Sequence, residues 1–232
     1  DQEMIRQQRK NVLNVGDKNG DDVIVTEVDG WRIYRPPAPD GIYVCGADVS
    51  EGVDGGDYSV ATIWDRKTGE EVAMYRGLLA SDRFGDALNK MGRFYNNCLM
   101  VVEVNSSGLT AVLRLKDLIY PTMYFRPSKF DALSTSPTDR LGWRTTVGTR
   151  RFLIEDFAKA TREGDLIIHS KEVLNEMSVF IYNDNNDMVP QQGFHDDCLF
   201  ASAIAFQGFK VLWGGPLDQL DEKFYLPKSY SY

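Results

Sequence analysis

Apolar positions in this chain follow two rhythms. Between residues 42 and 75 they run unbroken or alternate over short stretches bounded by glycine and charge, which is the pattern of strands. Residues 42–49 predict a strand buried on both faces. Residues 58–64 and 70–75 predict two more, joined by Asp65-Arg-Lys-Thr-Gly69, whose glycine supplies the turn. Links this short predict an antiparallel meander. At 81–96 the period changes: Phe84, Leu88, Met91 and Tyr95 share one helical face, and Ser81 or Asp82 can cap it. A buried strand at 98–102, a helix at 108–118 and a strand at 120–125 follow. Residues 129–146 read as irregular. Helices are then expected at 150–162 and 171–182 with a short strand at 166–168 between them, a polar turn at 183–187, and a last helix at 195–208.

This order predicts an α/β fold, a mixed central sheet with helices on both faces and a right-handed crossover from the strand ending at Glu103 to residues 120–125. Residues 1–40 read as an N-terminal linker or extension: polar, with a loop at 17–22, a short strand at 23–28, and the turn-rich Arg35-Pro-Pro-Ala-Pro-Asp-Gly41, whose prolines block a ladder or helix. The main domain is expected at 41–213, and 214–232 is a tail without a clear period.

Three of these elements begin or end on acid. Asp48 closes Gly41-Ile-Tyr-Val-Cys-Gly-Ala47, Glu103 closes Leu99-Met-Val-Val102, and Asp196-Asp197 opens Cys198-Leu-Phe-Ala-Ser-Ala-Ile-Ala-Phe206. Strand ends are where α/β sheets place ligands. Carboxylates gathered there repel unless cations neutralise them, so a divalent-metal site and metal-assisted phosphodiester hydrolysis are the expected chemistry. Structural alternatives exist for each. Asp48 can organise the glycine loop, Ser106 or Ser107 can cap the following helix, and acids in a first helical turn are favoured by the dipole. Asp197 shares a helical face with Ala201 and Ile204, which favours it as the direct ligand, with Asp196 nearby or binding the metal through water. His195 is a candidate for proton transfer or for supporting the ligands from behind, or belongs simply to the helix start. Asp54 and Asp57 are accessory candidates for a second cation, with loop solvation the alternative.

The chain has 232 residues, 43% of them hydrophobic and 26% charged, enough for a full core. It has no apolar run of membrane-spanning length and no secretory signal at its start. Cys45, Cys98 and Cys198 sit in or beside apolar segments and read as buried thiols of a reducing compartment. No P-loop, EF-hand or zinc framework is present. The net charge of −8 changes the picture of any nucleic-acid substrate: binding should be weak without metal or a tethering partner. Arg140, Arg144, Arg150 and Arg151 around Gly142-Trp143 are the candidate DNA-backbone contacts, a solvated helix start being the alternative.

Gly46-Ala-Asp-Val-Ser-Glu-Gly-Val-Asp-Gly-Gly-Asp-Tyr-Ser-Val60, Val102-Glu-Val-Asn-Ser-Ser-Gly108, Gly142-Trp-Arg-Thr-Thr146 and His195-Asp-Asp197 together resemble the C-terminal nuclease domain of tailed-bacteriophage large terminases, over about Gly41 to Gly208. The resemblance implies a ribonuclease-H-like fold, as in Holliday-junction resolvases, and an endonuclease cutting concatemeric viral double-stranded DNA during packaging in the host cytoplasm. It implies Asp48, Glu103 and an Asp of the 196–197 pair as catalytic carboxylates, with two Mg2+ or Mn2+ ions held by Asp48, Glu103 and Asp197. Its implied partners are a packaging ATPase domain, a small terminase subunit and the portal, with no membrane. A junction resolvase or transposase-like nuclease shares the fold and chemistry but calls for a basic DNA surface, and a non-catalytic docking module of the packaging motor is the non-enzymatic alternative.

Overall fold

The computed structural model describes residues 2–20, 23–53, 56–105, 107–126, 140–182 and 188–213. The segment read as a polar extension is structured. It forms α1 (Gln2–Gln8), a single 3-10 turn at Arg9–Asn11, a two-residue ladder of β1 (Lys18–Asn19) with β2 (Val23–Ile24), and the hairpin β3 (Thr26–Val28) and β4 (Trp31–Ile33). Met4 and Ile5 bury the inner face of α1, and Trp31 and Ile33 bury alternate positions of β4. The proline-bearing stretch between β4 and β5 (Tyr43–Asp48) carries no regular element.

The predicted meander is β5, β6 (Ser59–Asp65) and β7 (Glu71–Gly77), antiparallel throughout. Beyond α2 (Ser81–Phe94), β8 (Leu99–Val102) pairs with β5 in parallel, giving a six-stranded mixed sheet in the order β3-β4-β7-β6-β5-β8. β4 pairs with β7, so the early hairpin extends this same sheet. After α3 (Gly108–Asp117) the chain returns beside β8 through a single bridge, Met100 to Met123, rather than the full strand expected at 120–125. The strand expected at 166–168 is likewise one bridge, Glu70 to Ile167. Each bridge has only two hydrogen bonds: the Met100 and Tyr124 N–H groups donate to the Thr122 and Met100 carbonyls, and the Ile167 and Glu71 N–H groups to the Gly69 and Ile167 carbonyls.

Helix α4 (Val147–Glu163) starts three residues before the expected point, because Thr146 and Thr149 cap it reciprocally. Helix α2 lacks the expected side-chain cap; the Ser81 hydroxyl instead donates to the Ser50 carbonyl at 3.2 Å. Helix α5 (Lys171–Ser178) stops short of the expected 182, and Phe180–Tyr182 becomes β9, paired antiparallel with β10 (Met188–Pro190). The aromatic and β-branched run favours a strand once a partner strand arrives from later in the chain. The polar turn expected at 183–187 lies outside the described residues.

Two cores result. Cys45, Ala47, Ala61 and Ile63 face α2 and α3, while Val44, Val60, Trp64 and Met74 face the last helix, α6 (Asp197–Trp213), with α4 and α5 outside it. Buried nearly all round between sheet and outer helices, α6 packs directly on β5. Gly46 permits this approach: a Cβ there would lie 2.1 Å from the Ala201 carbonyl oxygen and 2.4 Å from the Ala205 nitrogen. The three cysteines are buried and free. Among the described residues, no helix is long and apolar enough to cross a membrane.

Candidate metal centre

Alternation along β5 puts Val44, Gly46 and Asp48 on the α6 side of the sheet, so the carboxylate emerges where the strand ends beneath the start of that helix. Glu103 follows β8 directly. Its N–H donates to the Ala47 carbonyl at 2.9 Å, which continues the parallel ladder and sets Glu103 beside Asp48. The turn into α3 can begin at once because Gly108 has no Cβ; one would lie 1.7 Å from the Glu103 carbonyl oxygen. The Trp143 N–H donates to the Val102 carbonyl at 2.7 Å, so the 142–146 segment runs along the outer side of Glu103.

Asp197 enters from the other layer as the first residue of α6. The Tyr58 backbone N–H donates to its carboxylate, yet its Oδ2 is buried with no hydrogen-bond partner among the described residues. Burial, then the charge of Asp57, pushes the Asp197 carboxyl up to about 6. Burial pushes Asp48 well above the usual carboxylate range. The charge of Glu103 and a hydrogen bond shared with it add to this, followed by the charges of Asp197 and Asp196. Three neighbouring carboxylates therefore oppose the ionisation of Asp48.

The members of the 196–197 pair diverge. Asp196 turns to the Arg150 guanidinium, which stacks on the Phe200 ring at 4.2 Å, and its backbone carbonyl accepts the Phe200 N–H at 2.8 Å. Burial raises its carboxyl and Arg150 partly offsets that rise. Asp57, His195 and Asp197 each offer a ligand atom within 4.8 Å of the others, and His195 Nδ1 lies 3.2 Å from Asp57 Oδ1. Asp54 lies outside the described residues, as does Ser106. Ser107 occupies the cap position of α3 without a capping side-chain bond.

Of the candidate basic contacts, Arg150 is tied to Asp196 and the exposed Arg151 pairs with Glu155 at 2.8 Å. Arg144 is exposed and Arg140 half-buried beside Leu141. Several residues that shape the pocket were not singled out in the sequence. Asn105 Nδ2 donates to Glu103 Oε1 at 3.2 Å and to the Thr145 carbonyl at 2.9 Å, fixing the Glu103 side chain. Glu176 of α5 accepts the Leu199 N–H at 2.7 Å and so anchors the first turn of α6 from outside; burial lifts its carboxyl to about 7. A polar residue within the apolar face of α5 was the available signal for it.

A divalent cation fits this pocket. Asp57, His195 and Asp197 offer hard oxygens and one imidazole nitrogen, an Asp197 oxygen is buried and unpartnered, and the neighbouring Asp48 has no basic side chain to neutralise it among the described residues.

No protein-family model matches the chain, and no curated protein matches it. Solved structures do. The large terminase nuclease from thermophilic phage G20c with bound magnesium is similar with a TM-score of 0.62 and 17% identity, covering 88% of this chain and 96% of that one. The same nuclease with bound cobalt gives 0.62 and 16% over the same shares. A Thermus phage large terminase nuclease domain gives 0.58 and 18%, covering 88% of this chain and 93% of that one. The chain has the ribonuclease-H-like fold of these nuclease domains.

Proposed function

We propose that this chain is a divalent-metal-dependent endonuclease that cuts concatemeric viral double-stranded DNA during genome packaging. The observation that carries the reading is the approach of the half-buried Asp48, Glu103 and Asp197 to one another, near enough for Asp48 to feel both other charges, with an Asp197 oxygen left without a partner, on a fold shared with phage terminase nucleases. Asp48, Glu103 and Asp197 would hold the cations, with Asp196 nearby and Asp57 and His195 extending the site. Mg2+ or Mn2+ is the expected metal, with two ions in the substrate complex. A bound cation supplies positive charge to the phosphorane-like transition state and acidifies attacking water. With a cation in place Asp48 and Asp197 would be held ionised, its charge opposing the burial that raises both carboxyls. Asn105 keeps Glu103 turned toward the pocket, and Tyr58 and Glu176 keep Asp197 there. Proposed partners are a packaging ATPase domain, a small terminase subunit and the portal, in the host cytoplasm. Nicking of supercoiled plasmid tests the reading. EDTA should stop it, Mg2+ or Mn2+ should restore it, and Asp48→Asn should be inactive while still folded. Undiminished cleavage by that variant, or after exhaustive chelation, would sink the proposal.

A further inference from the structure

Cross-strand register carries a second group to the mouth of the pocket. Asp48 pairs with Val60 across β5 and β6, and Val60 pairs with Arg76 across β6 and β7. Directly paired residues point to the same face, so Arg76 rises on the α6 side, two strand spacings or about 10 Å from Asp48 along the sheet. Its guanidinium lies over the Tyr58 ring, 3.6 Å from the centroid. Tyr58 is also the residue whose backbone N–H holds the Asp197 carboxylate. One residue therefore carries a metal-site carboxylate on its backbone and a guanidinium on its ring.

Arg76 is exposed and has no carboxylate partner among the described residues, in a chain where acids outnumber bases 34 to 26. Arg150 shows the contrast: it too stacks on a ring, but its charge is met by Asp196. Stacking fixes the plane of the Arg76 guanidinium while leaving its N–H edge open, the geometry that binds a phosphate in bidentate fashion. We propose that Arg76, braced by Tyr58, is a substrate-positioning residue that grips a backbone phosphate of the DNA strand entering the metal site. Gripping from the sheet side would hold the strand in register with Asp48 and Asp197 without reading its sequence. The inference rests on the nuclease reading and adds to it the residue that seats the substrate.

The test uses the whole chain carrying Asp48→Asn, so that DNA is bound and not cut, with a short fluorescein-labelled duplex and affinity read by anisotropy from about 50 to 200 mM salt. Arg76→Ala should weaken binding about fivefold at low salt and reduce the slope of log affinity against log salt by about one. Arg83→Ala, which removes an exposed charge from α2 in the other layer, should change neither. Tyr58→Phe should behave like its parent and Tyr58→Leu like a milder Arg76→Ala. In the chain with Asp48 intact, Arg76→Lys should retain the salt slope but cut plasmid more slowly, because a point charge cannot orient the phosphate. Should the alanine variant melt early, Arg76→Gln repeats the measurement with the side chain's bulk kept. Unchanged affinity and slope, in a chain whose Asp48-intact form still cuts plasmid with metal, overturn the role of Arg76 and leave the nuclease reading standing. A wild-type chain that cuts no DNA with any divalent metal overturns both.

Discussion

Buried acid occurs at both ends of the central sheet, under opposite conditions. At the start of β7, Glu70 is met on both oxygens: Asn19 donates to Oε1 at 2.9 Å, His169 Nε2 lies 2.8 Å from the same atom, and Arg35 donates to Oε2 at 3.0 Å. Burial alone would raise this carboxyl, but those hydrogen bonds outweigh it and hold it at about 2. Its neighbour Glu71 receives three donors on Oε2, from the His169 and Ser170 amides and the Ser170 hydroxyl, while its Oε1 is buried without a partner among the described residues and burial raises its carboxyl. Loops and strand are pinned together there. At the end of β5, by contrast, Asp48 faces other acids and is pushed the opposite way. Glu70, met by donors on both oxygens, holds the fold; Asp48, kept in place by the same sheet but faced by acids, calls for positive charge.

The largest test of that contrast is activity. Asp197→Ala should lose about a thousandfold in plasmid cleavage, whereas Asp196→Ala, whose side chain is turned to Arg150, should lose about tenfold. Equal losses with intact folding would mean that both side chains serve the pocket alike. Next comes stability at the other end. Glu70→Gln should lower unfolding free energy by about 2 kcal/mol in urea titrations while sparing cleavage by the folded fraction. The sign of its pH dependence follows from the shifts. Glu70, held at about 2, contributes fully above the ordinary carboxylate range and loses its effect as pH falls through 2. His169 is raised despite burial, by its bond to Glu70, so its contribution is full below its ordinary 6.5 and fades as pH rises through its folded value. The Glu70→Gln penalty should therefore peak between about pH 4.5 and 6.5, and a flat penalty would break the pairing of the two groups. The smallest effect has the opposite sign. Asp48 is raised, so the stability it lends is present in acid and lost as pH climbs. In EDTA, Asp48→Asn should melt a few degrees above wild type near pH 8, the gap closing toward pH 5, and added Mg2+ should raise only the wild type. A variant that melts below wild type at pH 8 would contradict the repulsion.

Much of this was legible in the residues because the signals are local. The meander, Asp48 at a strand end and Asp197 at a helix start follow from period and punctuation over a few positions each. The side-chain partition of the acidic pair also follows locally, since adjacent helical positions point about a quarter-turn or more apart. What was illegible depends on distant partners. Phe180–Tyr182 leaves the helix because a second strand arrives later, and residues 26–33 join the sheet because β7 offers an edge. Glu70 and His169 are 99 positions apart, and no window along the chain shows that they meet. Arg76 is of the same kind: its relation to Asp48 exists only across two strand registers.

The missing Cβ of Gly46 is, in this light, a caliper. It sets how deeply α6 seats against β5, and so the gap spanned between a carboxylate rooted in the sheet and one rooted in the helix. Alanine there would meet helix backbone at 2.1 Å, and backbone cannot rotate away as a side chain would. The helix would have to ride outward and carry Asp197 with it. Gauge would then become a property tunable at a position that touches no cation: a wider jaw disfavours small Mg2+ relative to larger Mn2+ or Ca2+. Ion preference in such a fold can thus be written into helix-to-sheet spacing as well as into the identity of the ligands.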